Sequence, residues 1–403
     1  MSINLNDYGY TQADSSAACD LLKNNSDLIP ARVIERRREL YKVICEHGEA
    51  GTELKGSFYH QMTDEDKFPS VGDFVLIQYN HQGSSLITTI LPRRSKFSRA
   101  NLGGHAEGYA KFIKEQVVAV NFDTVFILSS LNDDFNPARI ARYLSASWQS
   151  GGFPVVLLTK ADLCSSYGIQ AAETQKLARE APVIPISSKT GYGLEDLAPF
   201  LEPSKTIVFL GSSGVGKSSL LNRLAGEDLM EVKTIREDDS KGRHTTTHRQ
   251  LFRLHSGVLI IDTPGMRELG LWDSREGMSM AFGEVEDLIS RCRFSDCTHQ
   301  GEPGCAIRSA LEEGTITPMQ WKNYQKQLRE TVFVENHTDY LKKKREFRKS
   351  IAQMNRNKSI RQKNRFYRRP GKRYKLPEIL YSGGKNEIQQ RRKSHVAGRL
   401  EAE

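Results

Sequence analysis

The first thirty-one residues are polar and carry neither a helical nor an alternating apolar period, so residues 1–31 are expected to form a loosely ordered N-terminal extension. From Arg32 to about Leu91 short apolar and β-branched runs alternate with turn residues, as in "ELYKVICE", "GTELKGSFY", "GDFVLIQY" and "SLITTILP". Strands of this length and spacing predict a small barrel or sandwich over residues 32–95. A five-strand barrel of the oligonucleotide-binding (OB) type fits the length, and so does an ordinary small β-domain. Between Gln116 and Phe209 the pattern changes. Apolar runs such as "VVAVNFDTVFILSSL", "FPVVLLTKADL" and "IVFLGSSG" alternate with helical segments such as "RIARYLSASWQSG" and "AAETQKLAREA". Strands separated by helices predict a mostly parallel sheet covered on both faces, over residues 96–275. Residues 276–340 read as helical around a Cys/His cluster, and 341–403 as a basic tail, expected to be partly disordered. The whole pattern predicts a multidomain α/β protein.

The stretch "IVFLGSSGVGKSSLLNRLAG" is a strand, a glycine-rich loop and an amphipathic helix. Its core is Gly211, Ser212, Ser213, Gly214, Val215, Gly216, Lys217 and Ser218, followed by Ser219. Such a loop curls so that backbone N–H groups face phosphate oxygens, and the helix adds its positive N-terminal end. Lys217 would neutralise the β and γ phosphates, and the Ser218 hydroxyl would ligate Mg²⁺. Fifty residues on, "GVLIIDTPGMRELGLW" is a buried strand ending in Asp262, a carboxylate for the Mg²⁺ shell, with Gly265 placed to offer its N–H to the γ phosphate. Between them, "SKGRHTTTHRQLF" suits a segment that orders when Thr246 or Thr247 reaches the metal and the γ phosphate. Taken alone, it would be a solvated Thr-rich loop.

Upstream of all these, the strand "VVLLTKADL" runs out into Thr159-Lys160-Ala161-Asp162. A carboxylate there accepts from guanine N1 and its exocyclic amine, while the lysine stem packs over the ring; adenine offers no such donor pair. The next strand ends in "PISSKTG", whose Ser187, Ser188 and Lys189 suit contact with the guanine carbonyl. Four letters of the form Thr-Lys-x-Asp are a weak signal, and the strand context strengthens them. The order is then base loops, phosphate loop, switch threonines and metal aspartate, whereas a conventional small GTPase has the last three first. Cutting and rejoining a chain keeps the same strands and changes the connections, so a circular permutation accounts for the order.

Three of the six cysteines fall within fourteen residues. Cys292, Cys297, His299 and Cys305 provide three thiolates and one imidazole, a closed tetrahedral set for one structural Zn²⁺. Net charge is +9, but residues 341–403 hold 21 Lys and Arg against 5 Asp and Glu, leaving 37 against 44 for residues 1–340. The tail interleaves that charge with Phe347, Phe366, Tyr367 and Tyr374, which suits RNA phosphates with occasional base stacking. The N-terminus lacks a basic start and apolar stretch, and no run is long enough to span a bilayer, so a cytosolic protein without membrane contact is expected.

The order of motifs, with "PSVGDFVLI" and "ILPRRSKFSR" before them and "GRHTTT", "DTPGMRELGLW" and "FSDCTHQGEPGCAI" after, resembles the ribosome small subunit-dependent GTPase A family (RsgA, also called YjeQ or YloQ). The resemblance spans about residues 35–330. It implies an OB barrel, a permuted GTPase and a zinc domain acting, as a monomer with GTP and GDP, in late maturation of the small (30S) ribosomal subunit on its 16S rRNA. Two features depart from the usual pattern. Thr159 stands where Asn is common, and the tail exceeds the family core. Met266 follows the Asp-x-x-Gly turn, where many GTPases carry a water-positioning glutamine. Hydrolysis is therefore expected to be slow without a partner, with His244, beside the switch threonines, as candidate catalyst. Two rivals remain: an ATP-using P-loop kinase, against which Asp162 argues, and a zinc-dependent RNA-binding assembly protein whose nucleotide site acts only as a binding switch.

Overall fold

The computed structural model describes residues 2–23, 25, 27–37, 40–56, 68–103, 112–132, 134–230, 249–263 and 275–334. The N-terminal segment, expected to be loosely ordered, instead holds a 3-10 turn at Leu5–Tyr8 and helix α1 at Gln12–Lys23. Leu5 packs among residues of the parallel sheet, and Ala18 packs against Phe74, Leu76 and Leu91. The apolar stripe of α1 escapes a pattern reading because buried Asp14 interrupts it. That carboxylate accepts from Thr11 N at 2.8 Å and Thr11 Oγ1 at 2.7 Å, so the helix start satisfies its own buried charge.

Five strands follow: β1 Leu28–Arg37, β2 Leu40–Cys45, β3 Gly48–Leu54, β4 Phe74–Gln78 and β5 Ser85–Ile90. They pair in the order β1-β2-β3-β5-β4, and β4 closes back onto β1. Closure around inward residues such as Val33, Val43, Val75 and Ile77 makes the OB-type barrel, in preference to a sandwich. A hairpin of β6 (Lys96–Gly103) and β7 (Phe112–Val120) leads on to the parallel sheet.

That sheet contains β8 Thr124–Ser130, β9 Phe153–Thr159, β10 Val183–Pro185, β11 Thr206–Leu210, β12 Arg249–Arg253 and β13 Leu259–Asp262. Their order is β10-β9-β8-β11-β13-β12, parallel except for the β12–β13 pair. Along β9, Val156 and Leu158 face one core while Val155 and Leu157 face the other, so both faces are covered, as the continuous apolar runs predict. Helices α2 (Pro137–Ser150), α3 (Gly168–Ala178) and α4 (Lys217–Ala225) supply that cover. The phosphate-loop strand β11 is central, between β8 and β13, although three strands of this sheet precede it in the chain. The permuted motif order therefore closes into one contiguous sheet.

Two features join barrel to sheet. Strand β1 pairs with β12, placing Glu35 opposite Gln250 and Arg36 opposite Arg249. Fully buried Arg32 donates to the carbonyls of Tyr8 (2.6 Å), Gly72 (3.2 Å) and Asn121 (2.8 Å) and to Thr206 Oγ1 (3.0 Å). Burial lowers its pKa to about 9, the nearby charge of Arg94 adding to the effect, and the four acceptors compensate the lost hydration.

The C-terminal part contains α5 (Arg275–Ser290), kinked at Phe282, α6 (Ala306–Glu312) and α7, helical over 318–334. Met278, Phe282, Ile307 and Tyr324 form its core together with Ala141 of α2, and Arg142 of α2 makes a two-pronged ion pair with Glu330 of α7. Among the described residues no helix is long and apolar enough to cross a membrane. The basic tail lies outside the described residues, as do residues 231–248 and 264–274.

Candidate nucleotide and metal sites

At the C-terminal edge of β11 the chain turns through Gly211 to Gly216 into α4. Gly216 sits at φ 106°, a left-handed conformation that only a residue without Cβ adopts freely, and this sets the first turn of α4. A Cβ on Gly211 would lie 2.8 Å from the Leu128 carbonyl, so the loop hugs β8 because that side chain is missing. Lys217 Nζ donates to the Gly211 and Ser212 carbonyls, each at 2.7 Å, which curls the ammonium over the loop. Ser213 and Gly214 are exposed, Val215 is buried beneath the loop, and Ser218 and Ser219 occupy the first turn of α4. The result is a helix N-terminus and a lysine converging where phosphate oxygens can bind.

The base loops stand at the same edge. Thr159 ends β9, and Lys160 adopts φ 61° before a short 3-10 turn over Ala161–Leu163. Buried Thr159 donates its hydroxyl to the Val215 carbonyl at 2.7 Å. A threonine thus braces the phosphate loop directly, from the position where Asn is common. Ser187 Oγ donates to Asp162 Oδ1 at 2.6 Å, and Ala161 N donates to the Ile186 carbonyl at 3.1 Å, so the two base loops hold each other. Ser188 and Lys189 continue the turn, closed by Gly191 N donating to the Ser187 carbonyl at 2.9 Å. Because the Thr159 bond connects base loop to phosphate loop, Thr159→Ala should weaken GTP binding about 3- to 10-fold, while Thr159→Asn should stay within about threefold. Equilibrium titration with a fluorescent GTP analogue checks both values.

Sequence reasoning missed Asp134. It follows β8 at the same edge and accepts from Ser212 Oγ at 2.6 Å and from Arg139 at 2.8 Å. Burial would raise its pKa, but hydrogen bonds from Ser212 and Arg139 and the charges of Arg139 and Lys160 outweigh this and hold the carboxyl below its ordinary value. An acidic residue just past a strand end at the edge carrying the other loops was the available signal.

Asp262, at the end of β13, is buried. Burial pushes its carboxyl up, opposed by the charge of Lys217 and the Thr263 backbone N–H. Thr263 Oγ1 donates to the Phe209 carbonyl, fixing the exit of β13 against β11. A buried carboxylate beside the lysine of a phosphate loop fits a Mg²⁺ shell with Ser218. His244, Thr246, Thr247, Gly265 and Met266 lie outside the described residues.

The sulfurs of Cys292, Cys297 and Cys305 and a ring nitrogen of His299 all lie within 4.8 Å of one another. His299 Nδ1 stands 3.6 Å from both Cys292 Sγ and Cys305 Sγ. Around one zinc ion, with bonds of about 2.3 Å to sulfur and 2.0 Å to nitrogen, tetrahedral ligands are separated by roughly 3.5–3.8 Å, so the donor set fits the group. Glu302 shapes the approach. Its carboxylate accepts from the N–H groups of Thr298, Gln300 and Gly301 at 2.8, 3.0 and 3.1 Å, knotting the loop that carries His299 at φ 62°. Trp321 of α7 meets the His299 ring edge-to-face at 5.3 Å.

A family model described as RsgA GTPase matches residues 90–272. The small ribosomal subunit biogenesis GTPase RsgA 2 of Lactiplantibacillus plantarum is 42% identical over 330 residues, covering 82% of this chain and 90% of that protein. The crystal structure of YjeQ from Thermotoga maritima superposes with a TM-score of 0.55 at 26% identity, over 76% of this chain and 99% of the other. That of YloQ, described as a circularly permuted GTPase, gives 0.51 at 25% identity, over 75% and 95%. At that identity and coverage, and with the family model matched, this chain belongs to the RsgA GTPase family.

Proposed function

We propose that the chain is a GTP hydrolase acting in biogenesis of the small ribosomal subunit. The observation that carries the chemistry is the convergence of Asp162, the glycine-rich loop from Gly211 to Gly216, Lys217 and Asp262 on one sheet edge, tied by the Thr159–Val215 and Ser187–Asp162 bonds. In this reading Asp162 selects guanine, with Lys160 packed over the base and Ser187, Ser188 and Lys189 meeting its carbonyl. The loop from Gly211 through Ser219 holds the phosphates. Ser218 and Asp262, with Thr246 or Thr247, would hold Mg²⁺, which supplies charge neutralisation on the β and γ oxygens. Gly265 would donate to the γ phosphate. The Cys/His set would hold one structural Zn²⁺, folding its module rather than activating water.

The relatives, named as small ribosomal subunit biogenesis GTPases, support the small subunit as the partner. The chain would work in the cytoplasm as a monomer, gripping 16S rRNA through barrel, zinc module and tail, and releasing the subunit after hydrolysis. Met266 cannot orient water, so His244 is proposed to do so when the subunit is bound. Purified protein should turn GTP over slowly, and 30S subunits should raise the rate at least about tenfold. His244→Ala should keep GTP affinity and lose the stimulated turnover. Fast hydrolysis without subunits would overturn the proposal. Turnover absent even with subunits would leave the nucleotide site as a binding switch.

A further inference from the structure

Where the barrel meets the parallel sheet, three arginines gather from three different elements. Arg36 of β1 and Arg249 of β12 are direct cross-strand partners in the pairing that joins the two sheets. Arg99 of β6 stands beside them, its Nε donating to Gln116 Oε1 at 2.8 Å, while Arg249 donates to the Val117 carbonyl at 3.0 Å. All three are partly buried. Like charges placed directly opposite across a ladder are destabilising, so this seam carries a cost in the free protein. The neighbouring acids do not relieve it. Glu35 is engaged by Arg37, and Glu115 by Lys96 at 2.7 Å. Among the described residues none of the three guanidiniums has a carboxylate partner. Burial lowers Arg249 to about 10, and the charges next in weight are Arg99 and Arg36, both cationic.

We propose that Arg36, Arg99 and Arg249 form a site for phosphates of a structured RNA backbone, seated on the seam between barrel and GTPase sheet. Guanidinium forks match phosphate oxygens in two-pronged geometry, and the face of Tyr41 lies 5.7 Å beneath Arg36, limiting its orientation. RNA is favoured over a protein carboxylate because the site borders a closed five-strand barrel of the OB type, and three cations spread over three elements suit successive phosphates better than one side chain. The position also carries a consequence. Arg249 opens β12 immediately after the segment holding His244, Thr246 and Thr247, so a phosphate gripped there pulls on the strand that leaves the switch. The inference rests on the proposed ribosomal role and adds the place where subunit binding would reach the nucleotide.

The test is binding of full-length protein to 30S subunits across a KCl series, with Arg36→Gln, Arg99→Gln, their double variant and Arg99→Lys. Each Gln substitution should flatten the slope of log affinity against log salt by about one unit and weaken binding roughly 5- to 10-fold at about 0.1 M salt. Arg99→Lys should retain the slope. GTP turnover without subunits should stay at the parent value, since none of the three touches the nucleotide site. Unchanged slopes in the Gln variants of a parent that binds subunits would overturn this site alone, as would equal losses in Arg99→Lys and Arg99→Gln. A parent that binds no subunits would overturn the ribosomal role and this site with it.

Discussion

Asp162→Ala should raise the Kd for GTP by about 100- to 10,000-fold, the largest loss expected from any single side chain of the nucleotide site. In the proposed reading the carboxylate accepts two guanine N–H groups, and each hydrogen bond to a charged acceptor contributes about 1.5–3 kcal/mol when its partner would otherwise be left unpaired. The same carboxylate accepts from Ser187 Oγ at 2.6 Å, so its removal also frees the second base loop. Asp162→Asn makes a sharper test. Xanthine carries a carbonyl where guanine carries its exocyclic amine, and an asparagine amide donates to that carbonyl. The variant should therefore lose GTP and gain xanthosine triphosphate, measured by competition titration against a fluorescent guanine nucleotide. An Asp162→Ala protein that binds GTP within threefold of the parent would remove this residue from base recognition.

Cys297→Ser should release the zinc and unfold the module built on it. Structural zinc sites contribute an apparent stabilisation of about 10–16 kcal/mol at neutral pH, of order the whole stability of a domain, so three remaining ligands cannot hold the fold. Metal analysis should give one zinc per parent chain and none in the variant, and hydrogen exchange should show protection lost in α6 and α7. Three of the four candidate ligands, Cys292, Cys297 and Cys305, pack in a core that includes Ala141 of α2, so some loosening should reach the GTPase sheet from that side. The Arg142–Glu330 pair should be lost as well. GTP affinity should change by only a few-fold, because the phosphate and base loops stand on other elements. Stoichiometric zinc in Cys297→Ser would rule out the four-residue ligand set.

Much of the molecule was legible without coordinates, and the reason is locality. A phosphate loop is a run of eight contiguous residues, Gly211 to Ser218, whose glycines declare the backbone they permit. The Cys/His set spans fourteen positions, and its spacing declares a tetrahedron. Continuous apolar strands declare a sheet buried on both faces, and the misplaced loop from Thr159 to Asp162 declares a permuted one. The N-terminal helix was not legible, because a buried Asp14 looks like surface in a pattern of apolar letters. Asp134 escaped for a related reason: a carboxylate after a strand has no distinguishing neighbour until the fold brings Ser212 beside it, 78 positions away.

The amino-acid order alone determined which candidate groups this protein carries: the Asp162 carboxylate, the glycine-rich loop from Gly211, the Cys/His set and the permuted order of the motifs. Tertiary structure decided how those parts are held. The hydroxyl of Thr159 reaches Val215 across 56 positions, Arg32 reaches Thr206 across 174, and Arg36 comes to lie opposite Arg249 through a pairing between two domains. Residue spacing constrains contacts within a turn or a loop through short, stiff backbone geometry. Contacts between residues far apart in the chain depend on which sheet edges pack together, and that is settled by the burial of many apolar side chains at once.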